Sequence, residues 1–379
     1  MGKKLRVGVI FGGRSGEHEV SMRSAASVIE SIDRKKYDVL PIAISREGKW
    51  LSPPEAFQLL PPETQSFLPS RLAEEAQSAV AILGDPSQTG LLSFHQNGGA
   101  LTAERLDVVF PVLHGPFGED GTIQGLLEMA NIPYVGCGVL ASACGMDKVA
   151  MKLLFLQAGL PLCRYVWFLR SQWQNDRAKI TKTIMRETGL PCFVKPANLG
   201  SSVGISRATD KPSLEQAVEL AAQYDRKIVV EEAVDAREIE CAVIGNNEPR
   251  ASLPGEYVVH DNSARFLDYE EKYAKTGHVD FVVPAPISKA MATKIQRLAI
   301  RAFQSIDSSG LARVDFFFKR DTKELLVNEL NTMPGLTEVS GYPKMWAASG
   351  LSYTRMLDVL IELALERHGE KSLNKINRD

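Results

Sequence analysis

The chain has 379 residues, with 44 Lys and Arg against 46 Asp and Glu and a formal charge of -2, a balance that argues against a general nucleic-acid coat or a polybasic membrane-surface protein. Its length suggests two or three domains, and with 44% hydrophobic residues it can bury cores without disulfide or metal staples. Five cysteines, at 137, 144, 163, 192 and 241, form no C-x-x-C pair and read as buried thiols of a reducing compartment. No apolar run approaches the ~18 residues of a membrane span, and Met1-Gly2-Lys3-Lys4-Leu5 opens no signal peptide. The expectation is a cytoplasmic protein with no nucleic-acid or membrane partner.

Residues 5–11 form a β-rich run that ends in Gly12-Gly13-Arg14-Ser15-Gly16. Val20, Ser24, Val28 and Ile32 then recur at helical spacing, with Ala25 and Ile29 beside them. Strand, glycine turn, helix opens a doubly wound α/β domain. Glu17 is expected one turn into that helix, where an acidic residue favours the helix dipole or, aimed into a cleft, holds a substrate ammonium. Val39–Ser45 predicts a second strand, and the five prolines between Ser52 and Ser70 predict an irregular insertion. Leu106–Leu113 reads as a strand covered on both faces. His114 follows it, where open α/β sheets bind ligands. A short helix and a strand at Ile132–Val135 complete this domain near residue 143. Gly136-Cys137-Gly138-Val139-Leu140-Ala141 matches G-x-G-x-x-A, but the acidic residue expected about 20 positions on is missing, and the match is set aside.

The remainder reads as α+β with antiparallel strands. Met146-Asp147-Lys148 opens a helix that stops at Gly159-Leu160-Pro161. Phe193–Pro196 and Val203–Ser206 predict strands flanking the turn Leu199-Gly200-Ser201-Ser202, where a lysine (Lys195) and a small hydroxylic loop can cover phosphates; an ordinary hairpin loop fits the same string. Lys227–Ala233 and Glu238–Ile244 predict strands, and Ser288 caps a helix striped by Met291, Ile295, Leu298, Ala302 and Ile306. Near the C-terminus, Arg313–Phe318 and Leu325–Asn331 predict a hairpin centred on Thr322, with 315 opposite 329 and 317 opposite 327. Period-2 alternation places Arg313, Asp315, Glu329 and Asn331 on one face. Three oxygen-bearing side chains without His or Cys suit Mg²⁺; a solvated face with a cross-strand Arg–carboxylate pair is the other reading.

Taken together, Gly12–Ser21, His114–Gly121, Lys195–Gly204, Asp268–Tyr273 and Asn328–Gly335 resemble, in order and over most of the chain, the D-alanine–D-alanine ligases of the ATP-grasp superfamily. The resemblance implies a doubly wound N-terminal domain (1–143) followed by an ATP-grasp fold of two α+β subdomains (144–234 and 235–379). It also implies ATP-driven joining of two D-alanines through an acylphosphate, for peptidoglycan precursors. Asp315, Glu329 and Asn331 would hold two Mg²⁺ ions, with Mn²⁺ as a substitute. Lys148 and Lys195 would contact the nucleotide phosphates and Ser202 belongs to the loop covering them, while Lys272, in the ATP-binding set, lies with Tyr273 in a loop expected to close over the site and exclude water. Glu231, Glu232, Ala233 and Val234 would form the adenine hinge, with Glu238 on the ribose and Phe317 on the base. Glu17 would hold the first D-alanine's ammonium in a chain with Ser201 and Tyr273, with His114 near its carboxylate. Arg313 and the Gly335 amide would form the oxyanion site, and Ser340 with the Gly341 amide would bind the second D-alanine. A homodimer through the first domain is implied as well. Rival readings are a depsipeptide-forming or other ATP-grasp ligase, a nicotinamide-dependent oxidoreductase and a non-catalytic ATP-binding regulator.

Overall fold

The structure, a computed structural model, describes residues 3–73, 78–94, 102–200, 203–259 and 279–375. Three sheets follow one another along the chain. The first contains β1 (Leu5–Gly12), β2 (Tyr37–Ile44), β3 (Trp50–Leu51), β4 (Ala79–Ala81), β5 (Leu91–Phe94), β6 (Thr102–Glu104) and β7 (Val108–Pro111), in the order β6-β5-β4-β3-β2-β1-β7. Only β2-β1-β7 is parallel; β3 to β6 extend it as an antiparallel arm. The parallel strands are continuous apolar runs because both faces are covered. Val7, Val9 and Phe11 pack on one side with helix His18–Ser31, through Ala25, Val28 and Ile29. On the other, Ile10, Ile42 and Val109 pack with helix Thr122–Met129, through Ile123 and Leu127.

Two expectations for this region are corrected. The proline-rich stretch is largely helical: Pro53–Leu59 and Pro62–Gln65 are α-helices and Ser70–Ala73 is a 3₁₀ turn. Pro53 and Pro54 occupy the first helical positions, where the missing N–H costs nothing, and Ser52 with Glu55 forms a reciprocal cap. Residues 132–135 make an isolated parallel bridge, Val109 to Tyr134, rather than a strand, since Pro133 has no N–H to continue a ladder.

The second sheet is antiparallel: β8 (Tyr165–Leu169), β9 (Cys192–Pro196), β10 (Ser206–Ala208) and β11 (Lys227–Glu232), in the order β10-β9-β11-β8. Here β10 begins at Ser206, and Val203–Ile205 belong to the turn, where Gly204 has a φ of 72°. The third sheet holds β12 (Ala236–Gly245), β13 (Arg250–Ala251), β14 (Gly255–Val259), β15 (Val279–Val282), β16 (Gly310–Lys319) and β17 (Leu325–Asn331), in the order β15-β14-β12-β16-β17 with β13 on β12. Helix Lys289–Ser305, capped by the Ser288 side chain on the Met291 N–H, covers it with Ile295, Leu298, Ala302 and Phe303. The last helix, Tyr353–Lys371, returns to the first sheet. Met356, Leu357, Leu360 and Ile361 join the core around Val7 and Val28, and Lys36 pairs with Asp358 at 2.5 Å. Burial of such side chains contributes about 1.5–3 kcal/mol each, so the C-terminal segment clamps the first domain to the third sheet. Among the described residues no helix is long and apolar enough to cross a membrane.

Candidate active site

The hairpin β16–β17 supplies the central face. Arg313 lies opposite Asn331 and Asp315 opposite Glu329, as the alternation predicts. Beyond them the ladder slips by one residue between Asp315 and Phe316, so Phe317 faces Leu326 and not residue 327; a bulge of this kind inserts an extra residue on one strand and re-aims its neighbours. Asp315 takes a two-pronged grip from Arg313, at 2.6 Å on each oxygen, and a third bond from the Asn331 amide at 3.1 Å. Across the ladder β12 places Glu238 opposite Phe317 and Glu240 opposite Asp315, so both carboxylates share that face. Glu240, buried, lies 3.3 Å from the Arg313 guanidinium. Arg313 is thus held by two carboxylates before any substrate enters.

One wall of the cleft comes from the first sheet. β1 ends at Gly12 (φ 88°), where a Cβ would stand 2.3 Å from the Ile44 carbonyl oxygen; only glycine passes there. The chain then turns through Ser15 into helix His18–Ser31, for which Glu17 is the N-cap rather than a first-turn residue. A Cβ on Gly115 would lie 2.7 Å, and one on Gly200 3.2 Å, from Glu17 Oε2. Two glycines, one following the first sheet's β7 and one in the loop after β9, therefore make room for that carboxylate. His114 is buried and held at both nitrogens, Nδ1 donating to the Met333 carbonyl at 3.0 Å and Nε2 facing the Ser24 hydroxyl at 3.3 Å. Burial pushes its pKa down to about 4, so it is neutral near pH 7. Glu119 accepts from the Gly115 N–H at 2.6 Å and the Met333 N–H at 3.2 Å. Burial, and then the Glu17 charge, raise its pKa, while Arg313 acts the other way.

The opposite wall carries lysines. Asp147 caps helix Lys148–Gln157 by accepting from the Val149 and Ala150 N–H groups and pairs with Lys227. Lys148, the first residue of that helix, donates to the Leu199 carbonyl at 2.5 Å. Burial lowers its pKa, and the Glu329 charge partly restores it. Lys195 on β9 bonds Glu231 at 2.7 Å. Glu232 points away, pairing with Arg164 at 2.7 Å, and the Ala233 N–H is taken by the Pro191 carbonyl. Ser340 occupies the N-cap position of helix Gly341–Ala348, its hydroxyl meeting that of Thr337 at 2.6 Å and not the helix N–H groups. A Cβ at Gly341 would lie 2.8 Å from Glu240 Oε2, which brings this helix N-terminus to the Arg313 face. Gly335 lies on the segment after β17, two residues beyond the Met333 that both His114 and Glu119 hold. Ser201, Ser202, Lys272 and Tyr273 lie outside the described residues.

Residues 6–137 match the family model described as the D-ala D-ala ligase N-terminus, and residues 154–362 the one described as its C-terminus. The chain belongs to the D-alanine–D-alanine ligase family. Two curated members of that family are similar over nearly their whole length. The D-alanine–D-alanine ligase of Heliobacterium modesticaldum is 46% identical, covering 99% of this chain and 98% of its own. That of Natranaerobius thermophilus is 45% identical, covering 98% of each. The solved D-alanine–D-alanine ligase of Coxiella burnetii superposes with a TM-score of 0.81 at 35% identity, over 98% of this chain and 97% of that one. The VanG D-Ala:D-Ser ligase of Enterococcus faecalis also gives 0.81, at 36% identity over 96% of this chain and 100% of that one.

The residues fit the ATP and Mg²⁺ that an ATP-dependent D-alanine–D-alanine ligase family implies. Among the described residues no three His, Cys, Asp or Glu side chains form a metal cage. The hairpin offers two carboxylates and an amide, the partial oxygen set Mg²⁺ uses when nucleotide phosphates complete its shell. Sequence reasoning missed Glu119, Glu240 and Lys152. Glu240 was open to it, since it follows Glu238 by two along a strand. Glu119 and Lys152 were not, because Met333, which Glu119 accepts from, and Glu231, which Lys152 pairs with, are distant in the chain.

Proposed function

We propose that this cleft joins two D-alanines into D-alanyl-D-alanine while ATP becomes ADP and phosphate, for peptidoglycan precursors. The observation that carries the reading is the convergence on one face: a lysine wall (Lys148, Lys195) for phosphates, the Arg313–Asp315–Glu329–Asn331 hairpin between, and Glu17 beyond. A carboxylate oxygen of the first D-alanine takes the γ-phosphoryl group, and the amine of the second attacks the resulting acylphosphate. The tetrahedral adduct then collapses to dipeptide and phosphate.

Glu17 holds the first ammonium. His114, with both nitrogens engaged, fixes the turn beside Glu17 and moves no proton. Arg313 and the Gly335 amide meet the oxyanion; such preorganised donors contribute several kcal/mol where charge develops. Ser340 and the Gly341 amide, at a helix N-terminus, receive the second carboxylate. Glu231 and Glu232 at the end of β11, with Ala233 and Val234 just beyond it, form the adenine hinge, with Glu238 on the ribose and Phe317 on the base. Ser202 belongs to the loop over the phosphates, Ser201 and Tyr273 act in a chain with Glu17, and the loop of Lys272 and Tyr273 excludes water. Asp315, Glu329 and Asn331 would hold two Mg²⁺ ions, for which Mn²⁺ can substitute; these neutralise phosphate charge and template the transfer. The working form is a cytoplasmic homodimer paired through the first domain, with domains at 1–143, 144–234 and 235–379.

The test is phosphate release from ATP and Mg²⁺ with D-alanine, L-alanine, D-alanine plus D-serine, or D-alanine plus D-lactate. Release with D-alanine alone, together with dipeptide, is expected. Release only when D-serine or D-lactate is added would reassign the second substrate, and silence in every arm would overturn the reading.

A further inference from the structure

Lys152 has no part in the chemistry above, yet its side chain is only 1% exposed. It follows Lys148 by one turn of helix Lys148–Gln157, so the two lysines share a helix face. Its ammonium lies 2.9 Å from Glu231 Oε1 and 3.4 Å from the Asn328 carbonyl, and 5.6 Å from the centre of the Tyr165 ring. The other oxygen of the same carboxylate, Oε2, is 2.7 Å from Lys195. Exposure rises along this line, from 1% at Lys152 through 3% at Glu231 to 11% at Lys195. Glu231 is therefore a buried carboxylate with one lysine on each oxygen, the first sealed in the core and the second at the cleft.

The charge balance gives this arrangement a consequence. Lys148, Lys152 and Lys195 around Glu231 and Glu329 leave one net positive charge, and of the two lysines paired on Glu231 the one nearer solvent is Lys195. Without the inner lysine, Lys195 would be the one direct ion-pair partner left on Glu231. A buried carboxylate draws strongly on its last partner, so Lys195 would be pulled into a neutral pair. An incoming polyphosphate would then meet a dipole instead of a cation.

We propose that Lys152 is a positioning residue for the nucleotide phosphates: by neutralising Glu231 from the sealed side through Oε1, it leaves Lys195 in place and net positive toward the cleft. This rests on the reading of Lys195 as a phosphate ligand. Lys152 touches no nucleotide atom in this scheme. Its signature is a loss that scales with the phosphates and spares the nucleoside.

The test is equilibrium binding of ATP, ADP and adenosine to the full chain with Mg²⁺, for wild type, Lys152→Met and Lys152→Arg, each checked by circular dichroism. Lys152→Met is expected to weaken ATP about tenfold, the size of an ordinary coupling between contacting charges. Adenosine should stay within about twofold, and Lys152→Arg should recover most of the ATP affinity. If Lys152→Met does not fold, Lys152→Gln keeps a donor for Glu231 without the charge. It should lose about threefold for ATP and nothing for adenosine. A wild type that prefers ATP to adenosine, with that preference unchanged in the variant, overturns the role of Lys152 alone. Equal losses for ATP and adenosine overturn it too, since they mark a structural lysine. A wild type without any preference for ATP overturns the nucleotide reading beneath it.

Discussion

The two walls of the cleft manage charge in opposite ways. On the nucleotide wall three lysines (148, 152 and 195) gather about Glu231 and Glu329, with ion pairs of 2.7 and 2.9 Å already formed on Glu231. On the amino-acid wall two carboxylates, Glu17 and Glu119, oppose each other, and the pKa of Glu119 is raised by its burial and, after that, by the Glu17 charge. Arg313 stands between, held by Asp315 and Glu240. A surplus of ammonium groups suits a polyphosphate; a carboxylate beside a guanidinium suits a zwitterion. The walls come from different sheets, held together by the last helix and by the bonds of His114 and Glu119 to Met333.

The sharpest way to break this contrast is at the hairpin that serves both walls. Glu329→Gln removes a carboxylate opposite Asp315 and near Lys148 and Lys195. Turnover should fall at least ~10³-fold, because metal-assisted charge neutralisation supplies several kcal/mol. The melting temperature should stay near wild type. Steady-state kinetics with a thermal melt checks this, and wild-type turnover would remove the metal assignment.

Next in size is His114, on the amino-acid wall alone. Its folded pKa, about 4, lies below the ordinary 6.5. The native state therefore resists protonation, and the stability tied to the neutral ring is complete above pH 6.5 and lost as pH falls toward 4. The depression corresponds to about 3 kcal/mol. Glu119, whose pKa is raised, works in the opposite direction over the same range, so the His114 contribution is read as a difference: in denaturant melts from pH 7.5 to 4, wild type should lose about 3 kcal/mol more than His114→Asn.

Two smaller changes probe the second-substrate end. Gly341→Ala would set a Cβ 2.8 Å from Glu240 Oε2 and 2.9 Å from Phe281 Cζ. Either the Glu240 carboxylate or the Phe281 ring must shift, so KM for the second D-alanine should rise about threefold with ATP unaffected. Tyr273→Phe should admit D-lactate a few-fold more readily at neutral pH, read from the depsipeptide-to-dipeptide ratio.

The unequal legibility of these features in the sequence has a physical basis. The Arg313–Asn331 face was readable because strand alternation and a short turn are local, and the capped helices at Asp147 and Ser288 were readable for the same reason. The slip after Asp315 was not, since a bulge leaves the composition of both strands unchanged. Residues 52–70 were misread because prolines that break a helix interior also open one, and Ser52 with Glu55 is what tells the cases apart. Glu231 was legible as part of a strand beside the nucleotide. Its two lysines come from a helix and from another strand, and no spacing rule joins them. Glu119 sits in a string the family shares, yet its partners, Gly115, Met333 and Glu17, meet only in the folded chain.

The central claim is that one cleft moves a phosphoryl group onto a D-alanine carboxylate before the second amine attacks. Turnover of D-alanine labelled with ¹⁸O in its carboxylate tests this most directly, with mass spectrometry of the released phosphate. The expected result is one ¹⁸O atom in each phosphate formed, carried over when the acylphosphate collapses. Phosphate free of ¹⁸O, formed alongside dipeptide, would contradict the account.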